Sequence, residues 1–292
     1  MNRSDLQTKL HWIFRVAVAA EFIGHGAFGV ITKPAWVPYF AVVGIPEPLA
    51  YKLMPIVGAV DLTLGIITLF SPRRFILLYI SFWGLWTAML RPLSGEPAWE
   101  AVERAANYGV PLAFLLLSGW GKSLRDWFTA IDPRGISRRT INDIVIVLRV
   151  TAGLLLLGHG ALAALVHKSV FIEQFTTVGL TSIPVQPELL VQLFGWFEIL
   201  LAVWLLARPT SSLLMFVLMW KVVVESLYPM TGAPVWEFIE RGGSYAAPLA
   251  LYIIMVWRAS QVRHLSVYEE WLRTQLARVR SRSHLGYGPT AG

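Results

Sequence analysis

Long apolar runs separated by short polar turns dominate the chain. Eight are traceable, at about 10–31, 53–70, 74–91, 97–120, 144–166, 189–207, 211–228 and 243–257. Each approaches the ~20 residues that a helix needs to cross a bilayer. The runs are continuously apolar, whereas strands of a membrane barrel would alternate in polarity over about ten residues. The pattern therefore predicts an all-α integral membrane protein with eight transmembrane helices.

The polar positions that interrupt these runs occur twice. Arg15 with Gly24-His25-Gly26-Ala27 returns as Arg149 with Gly158-His159-Gly160-Ala161, and Val43-Gly44-Ile45 as Val178-Gly179-Leu180. Gly58, Asp61, Pro72 and Trp83 return as Gly195, Glu198, Pro209 and Trp220. The longest match opens the fourth run of each half: Pro97-Ala98-Trp99-Glu100 pairs with Pro234-Val235-Trp236-Glu237. It continues through Glu103-Arg104, Tyr108 and Pro111 into Glu240-Arg241, Tyr245 and Pro248. Such spaced identities indicate a duplication of the whole chain. Four spans per repeat is an even number, so both repeats enter the membrane with the same orientation and the architecture is one of parallel topology. The expected organisation is a four-helix repeat at 10–123, a basic linker at 124–143, a second repeat at 144–260 and a tail at 261–292. In the tail, Leu265, Tyr268, Leu272, Leu276 and Val279 follow helical spacing beside several arginines, the pattern of an amphipathic helix on a lipid surface.

Composition narrows the class. Hydrophobic residues make up 55% of the chain and charged residues only 15%, which excludes a soluble globular enzyme and a disordered chain. With no cysteine there is no disulfide, no thiol redox pair and no cysteine-held cluster. The net charge of +7 does not point to nucleic acid, because its distribution is sided. Under eight spans, 16 of the 25 basic residues fall on the side of the termini, which places both termini in the cytoplasm. The first span is not read as a cleaved leader, since Arg15 interrupts it and the second repeat contains its counterpart.

Polar side chains inside spans are costly, so they mark the candidate chemistry. They are Arg15, Glu21, His25, Asp61, Glu103, Arg104 and Asn107 in the first half, and Arg149, His159, Glu198, Lys221, Glu225, Glu240 and Arg241 in the second. At ~1.5 Å per residue, His25, Asp61 and Glu103/Arg104 all lie about 9–12 Å below the same, outer, end of their helices. On the fourth span Glu100, Glu103, Arg104, Asn107 and Tyr108 form one stripe. Two sites are thus expected: His25 and Asp61 with Glu103, Arg104 and Tyr108, and His159 and Glu198 with Glu225, Glu240, Arg241 and Tyr245. The bland reading is that each histidine locks a helix pair and each Glu-Arg is a structural ion pair. Arg15 and Arg149 would snorkel, and Trp12, Trp36, Trp99, Trp120, Trp236 and Trp257 would form interfacial belts. The sharper readings are three. One is an outer-leaflet pocket for a quinone or other small apolar ligand, with Trp83, Trp86 and Tyr108 against its ring. Another is a proton-coupled transporter built on the two halves. The weakest is a b-type haem between His25 and His159. No metal centre is expected.

Each half resembles the DoxX-like membrane proteins. The resemblance rests on Arg15, Gly24-His25-Gly26, Gly44-Ile45-Pro46 and Gly58-x-x-Asp61, and again on Arg149, Gly158-His159-Gly160, Gly179 with Pro184, and Gly195-x-x-Glu198. Asp61 stands where the family pattern has Glu. The resemblance implies a bacterial inner-membrane protein tied to quinone-coupled or oxidative-stress chemistry through an oxidoreductase partner subunit. A non-catalytic scaffold is the plainer alternative.

Overall fold

A computed structural model of the protein describes residues 2–133, 135–180 and 185–262. Arg134, Pro184 and the expected amphipathic helix of the tail lie outside the described residues. The elements are α1 (Arg3–Val30), a 3-10 turn (Pro34–Trp36), α2 (Val37–Val42), α3 (Glu47–Phe70), α4 (Arg74–Leu93), α5 (Trp99–Glu103) and α6 (Ala105–Ser118). They continue with α7 (Leu124–Phe128), α8 (Arg138–Ala164), α9 (Ser169–Thr177), α10 (Pro187–Ala207), α11 (Ser211–Met230), α12 (Trp236–Ile239) and α13 over 242–262. No strand forms among the described residues. Six helices, α1, α3, α4, α8, α10 and α11, are long and apolar enough to cross a membrane.

The fourth apolar run of each half is not one continuous helix. Arg104 leaves helical geometry at φ −87°, ψ 17° and separates α5 from α6, while Glu240 and Arg241 separate α12 from α13. Charge accounts for the first break. The Arg104 guanidinium donates at 3.1 Å to the Glu100 carbonyl, so a side chain satisfies backbone that the interrupted ladder leaves open. Pro111, the expected kink, lies inside the continuous α6.

Glycine sets the closest helix contacts. A methyl group on Gly58 of α3 would stand 2.5 Å from the Gly26 oxygen and the Val30 nitrogen of α1, so only hydrogen fits. Gly195 of α10 meets the Gly160 oxygen of α8 at the same 2.5 Å. A second set of contacts crosses between halves. A methyl on Gly24 of α1 would meet the Glu240 nitrogen at 2.5 Å, and one on Gly158 of α8 would meet the Glu103 Cα at 2.6 Å. The broken helix of each half therefore packs on the first helix of the other.

The main core runs through the crossed bundle, from Leu10 and Phe14 of α1 through Ile80, Phe114 and Leu148 to Val217 and Leu251, with smaller clusters around Phe28 and Trp36 and around Phe171 and Phe175. α10 contributes Leu201, Ala202 and Leu205 to the main core and α3 packs Leu64 and Ile67 against it, while both helices turn large apolar side chains outward, including Ile56 (60% exposed), Phe70 (73%) and Leu200 (66%). An apolar surface of this extent suits lipid and not water. Arg15 and Arg149 do not simply snorkel. Arg15 donates to the Phe70 carbonyl, and Arg149 to those of Leu206 and, at 2.8 Å, Ala207. Each guanidinium thus caps the last turn of α3 or α10, where free carbonyls and the negative helix end favour a cation.

Candidate functional site

The fold delivers His25 to the end of the bundle where α1 finishes and α3 begins. The glycine contact between these helices brings Asp61 against the ring, with His25 Nδ1 and Asp61 Oδ2 2.8 Å apart. The chain then folds back through the 3-10 turn and stacks Trp36 on the imidazole, centroids 4.5 Å apart and planes at 28°. Trp36 therefore belongs to the site and not to an interfacial belt, and Trp257 is likewise buried. Beyond the His25 ring lies a cavity of about 290 Å³. Trp36, Phe40, Val57, Trp83 and Trp86 give it aromatic and apolar walls, while Lys33, Tyr39, Arg91, Arg104, Asn107 and Glu240 supply polar groups. Val43 and Ile56, both exposed on the outer surface, also border it. Burial pushes the Tyr39 phenol well above its ordinary range, so it stays protonated and donates to Glu96. Tyr108 is absent from the walls, contrary to the expectation that it would face the ligand.

His159 makes the matching bond from Nδ1 to Glu198, but its surroundings are closed. Phe171 and Phe194 present ring edges at 4.9 and 5.9 Å, and Phe194 stacks on Trp220 at 5.5 Å. The His159 side chain is 1% exposed, against 25% for His25. The cause is local. Val57, immediately before Gly58, holds the position that Phe194 holds before Gly195, and the space filled by the phenyl ring in one half is open in the other.

The charged residues form one network that joins the halves. Arg241 donates to Glu103 at 2.8 Å, is ion-paired with Glu225 at 2.9 Å and lies 3.7 Å from Glu237. Lys221 pairs with Glu225 at 2.6 Å. Arg104 bonds Glu103 at 2.6 Å and Glu100 at 3.0 Å, and Lys168 meets Glu100 at 2.5 Å. Lys33 reaches across to Glu237 at 2.6 Å. The expected grouping by half is thus corrected. Glu240 of the second half borders the His25 cavity together with Arg104 of the first, and Arg241 serves Glu103. The reason is the crossed packing: each broken helix carries its Glu-Arg pair onto the partner half's first helix. Glu225 sits between Lys221 and Arg241, and Tyr245 donates to the Phe238 carbonyl at 3.2 Å, both positions in the scaffold of the network.

Among the described residues no cluster of three or more His, Asp or Glu is arranged to hold a metal. His159 does not border the cavity that His25 borders, so the two rings do not offer one axial pair. Sequence reasoning passed over Lys33 and Tyr39, which belong to the polar connection after the first span, and the Val57/Phe194 difference. The last was readable by setting the two halves side by side at Gly58 and Gly195. Neither a protein-family model, nor a curated protein, nor a solved structure matches the chain.

Proposed function

We propose that this is an eight-span protein of two four-helix repeats, of DoxX-like type, that binds a flat-ringed amphipathic molecule in its first repeat. A quinone or quinol is the ligand class that suits it best. The observation that carries this reading is the His25 ring. Its Nδ1 is engaged by Asp61, and its Nε2 makes no bond to protein among the described residues. It stands at a cavity walled by three tryptophans and bordered by lipid-facing Val43 and Ile56. A pocket of mostly apolar lining with a few convergent polar groups is the usual form of a small-molecule site. The border residues offer entry from the bilayer, and Arg91, Arg104 and Lys33 suit a polar head at the mouth. The carboxylate of Asp61 would stabilise the imidazolium should His25 take a proton from the ligand.

The second repeat is then the structural one, its histidine enclosed and its Glu198 fully bonded. The ion pairs that tie the halves together favour a rigid binding subunit, partnered with an oxidoreductase in a bacterial inner membrane, over a transporter whose halves rock. A photoreactive short-chain quinone should label wild-type protein near His25. His25→Ala should lower labelling about tenfold, and it also costs stability by unpairing the buried Asp61. His159→Ala should cost stability in the same way, by unpairing Glu198, and spare the labelling, so labelling separates the two. Labelling that survives His25→Ala would reject the site.

Orientation has its own test. Reporter fusions at Gly292 and in the Ser94–Glu96 loop should report opposite sides of the membrane, with Gly292 cytoplasmic. The same side for both would reject eight spans.

A further inference from the structure

The ion-pair network that joins the halves does not balance. Six cations belong to it: Lys33, Arg91, Arg104, Lys168, Lys221 and Arg241. Five acids pair with them: Glu96, Glu100, Glu103, Glu225 and Glu237. A sixth acid, Glu240, makes no ion pair among the described residues, and its carboxyl shares a hydrogen bond with Glu237. Two carboxyl groups bond each other only when one carries a proton, and Glu237 already has Lys33 and Arg241 to hold it ionised. Glu240 is therefore the neutral partner, and the network keeps one unit of positive charge. The surplus is not at Arg241, which has three acids to itself. It gathers where Lys168 at 2.5 Å, Arg104 at 3.0 Å and Arg91 at 3.4 Å share the single carboxylate of Glu100.

That surplus is turned toward the cavity. Lys33, Arg91 and Arg104 border it, while the acids they pair with, Glu96, Glu100, Glu103 and Glu237, do not. Every bond from Arg91 and Arg104 to those acids leaves from Nη1. Nε and Nη2 of both guanidiniums have no protein acceptor among the described residues. The two other buried acids of the first half, Glu21 and Asp61, do not border the cavity, and Asp61 is taken by His25. A mostly buried cation is costly without an anion beside it. The second half lacks this arrangement, since Tyr228 stands where the first half has Arg91.

We infer that the cavity takes a ring-bearing amphiphile whose polar end is a single carboxylate, held by Arg91, Arg104 and Lys33. This rests on the pocket reading above and names the head group. The ring lies among the tryptophans, and the apolar chain leaves past Val43 and Ile56 into the bilayer. A guanidinium presents parallel donors that match both oxygens of a carboxylate, and such charge-assisted bonds are about twice as strong as neutral ones. A neutral carbonyl accepts from the same donors and leaves the surplus charge uncompensated. An ammonium head meets three cations.

The test uses three probes with one ring and one chain: para-decylbenzoate, para-decylbenzamide and para-decylbenzylamine, the last an ammonium at neutral pH. Binding to the full chain in nanodiscs of zwitterionic lipid is read by calorimetry, with empty nanodiscs as the reference. The benzoate should bind at least about tenfold more tightly than the benzamide, and the ammonium should bind most weakly. Arg91→Tyr copies the second half and leaves five cations for five acids. Glu96 then keeps Tyr39, and Glu100 keeps Arg104 and Lys168. The advantage of the benzoate over the amide should be lost. Lys33→Met makes the same change of charge elsewhere on the wall, leaves Glu237 with Arg241, and serves alone if Arg91→Tyr fails to fold. Equal affinity for benzoate and benzamide, or an advantage that both variants retain, overturns the inference and leaves the pocket standing. If none of the three probes binds, the inference is overturned, and the pocket reading falls with it only if the photoreactive quinone also fails to label near His25.

Discussion

Replacing Arg241 with Met should destabilise the protein by about 3–5 kcal/mol, the cost typical of removing one partner from a buried ion pair. Arg241 faces three carboxylates, Glu103, Glu225 and Glu237, and is itself almost fully buried. Without it Glu103 keeps Arg104 and Glu225 keeps Lys221, yet the cluster has lost a unit positive charge where water does not compensate. Arg241→Lys should recover part of the loss, since it restores the charge and not the fork that reaches two acids at once. Arg104→Met is the informative comparison. Both of its acids keep other partners, Glu103 having Arg241 at 2.8 Å and Glu100 having Lys168 at 2.5 Å and Arg91 at 3.4 Å, so the loss should be smaller. Unfolding in graded detergent mixtures measures all three. A loss at Arg104 equal to or larger than that at Arg241 would show that the Arg241 link between halves is not the one that holds them.

Much of this fold was readable from the run of apolar residues. The six long helices lie where the runs predicted. They extend past them mainly where polar first turns cap the ends, as with the reciprocal Asn2/Asp5 bonds that start α1 at Arg3. Runs of hydropathy cannot register a break made by charge, so the interruptions at Arg104 and at Glu240–Arg241 were invisible. The same stripe of Glu100, Glu103 and Arg104 that marked the site also ended the helix. The internal matches in the sequence showed which residues correspond but not which half a helix packs against. Gly24 and Gly158 each receive the broken helix of the other half. Glu240 was accordingly assigned to the wrong histidine. The His25–Asp61 and His159–Glu198 pairs were legible because spacing from shared glycines fixes them, whatever the larger packing does.

The asymmetry of the halves yields the most decisive prediction about the pocket. Val57→Phe should abolish binding of any ring-shaped ligand, lowering affinity by about 100-fold or more, with thermal stability unchanged or raised. The added phenyl has a place to go, because Phe194 already occupies that place beside His159 and Trp220. In the first half the neighbours of that space are Trp36, Trp83 and His25, all bordering the cavity, so the new ring gains aromatic contacts while it excludes the ligand. Overpacking a full core typically costs 1–3 kcal/mol, and the absence of that cost would itself report that the space was open. The reciprocal Phe194→Val should destabilise, by less than the ~3–5 kcal/mol of a full Phe→Ala truncation, and should expose His159 to probes that do not reach it in the wild type. Thermal unfolding and probe binding on the two variants separate the cases. If Val57→Phe binds as wild type does, the ligand does not occupy this cavity. If it fails to fold, the first half was already as full as the second and the cavity is not an open site.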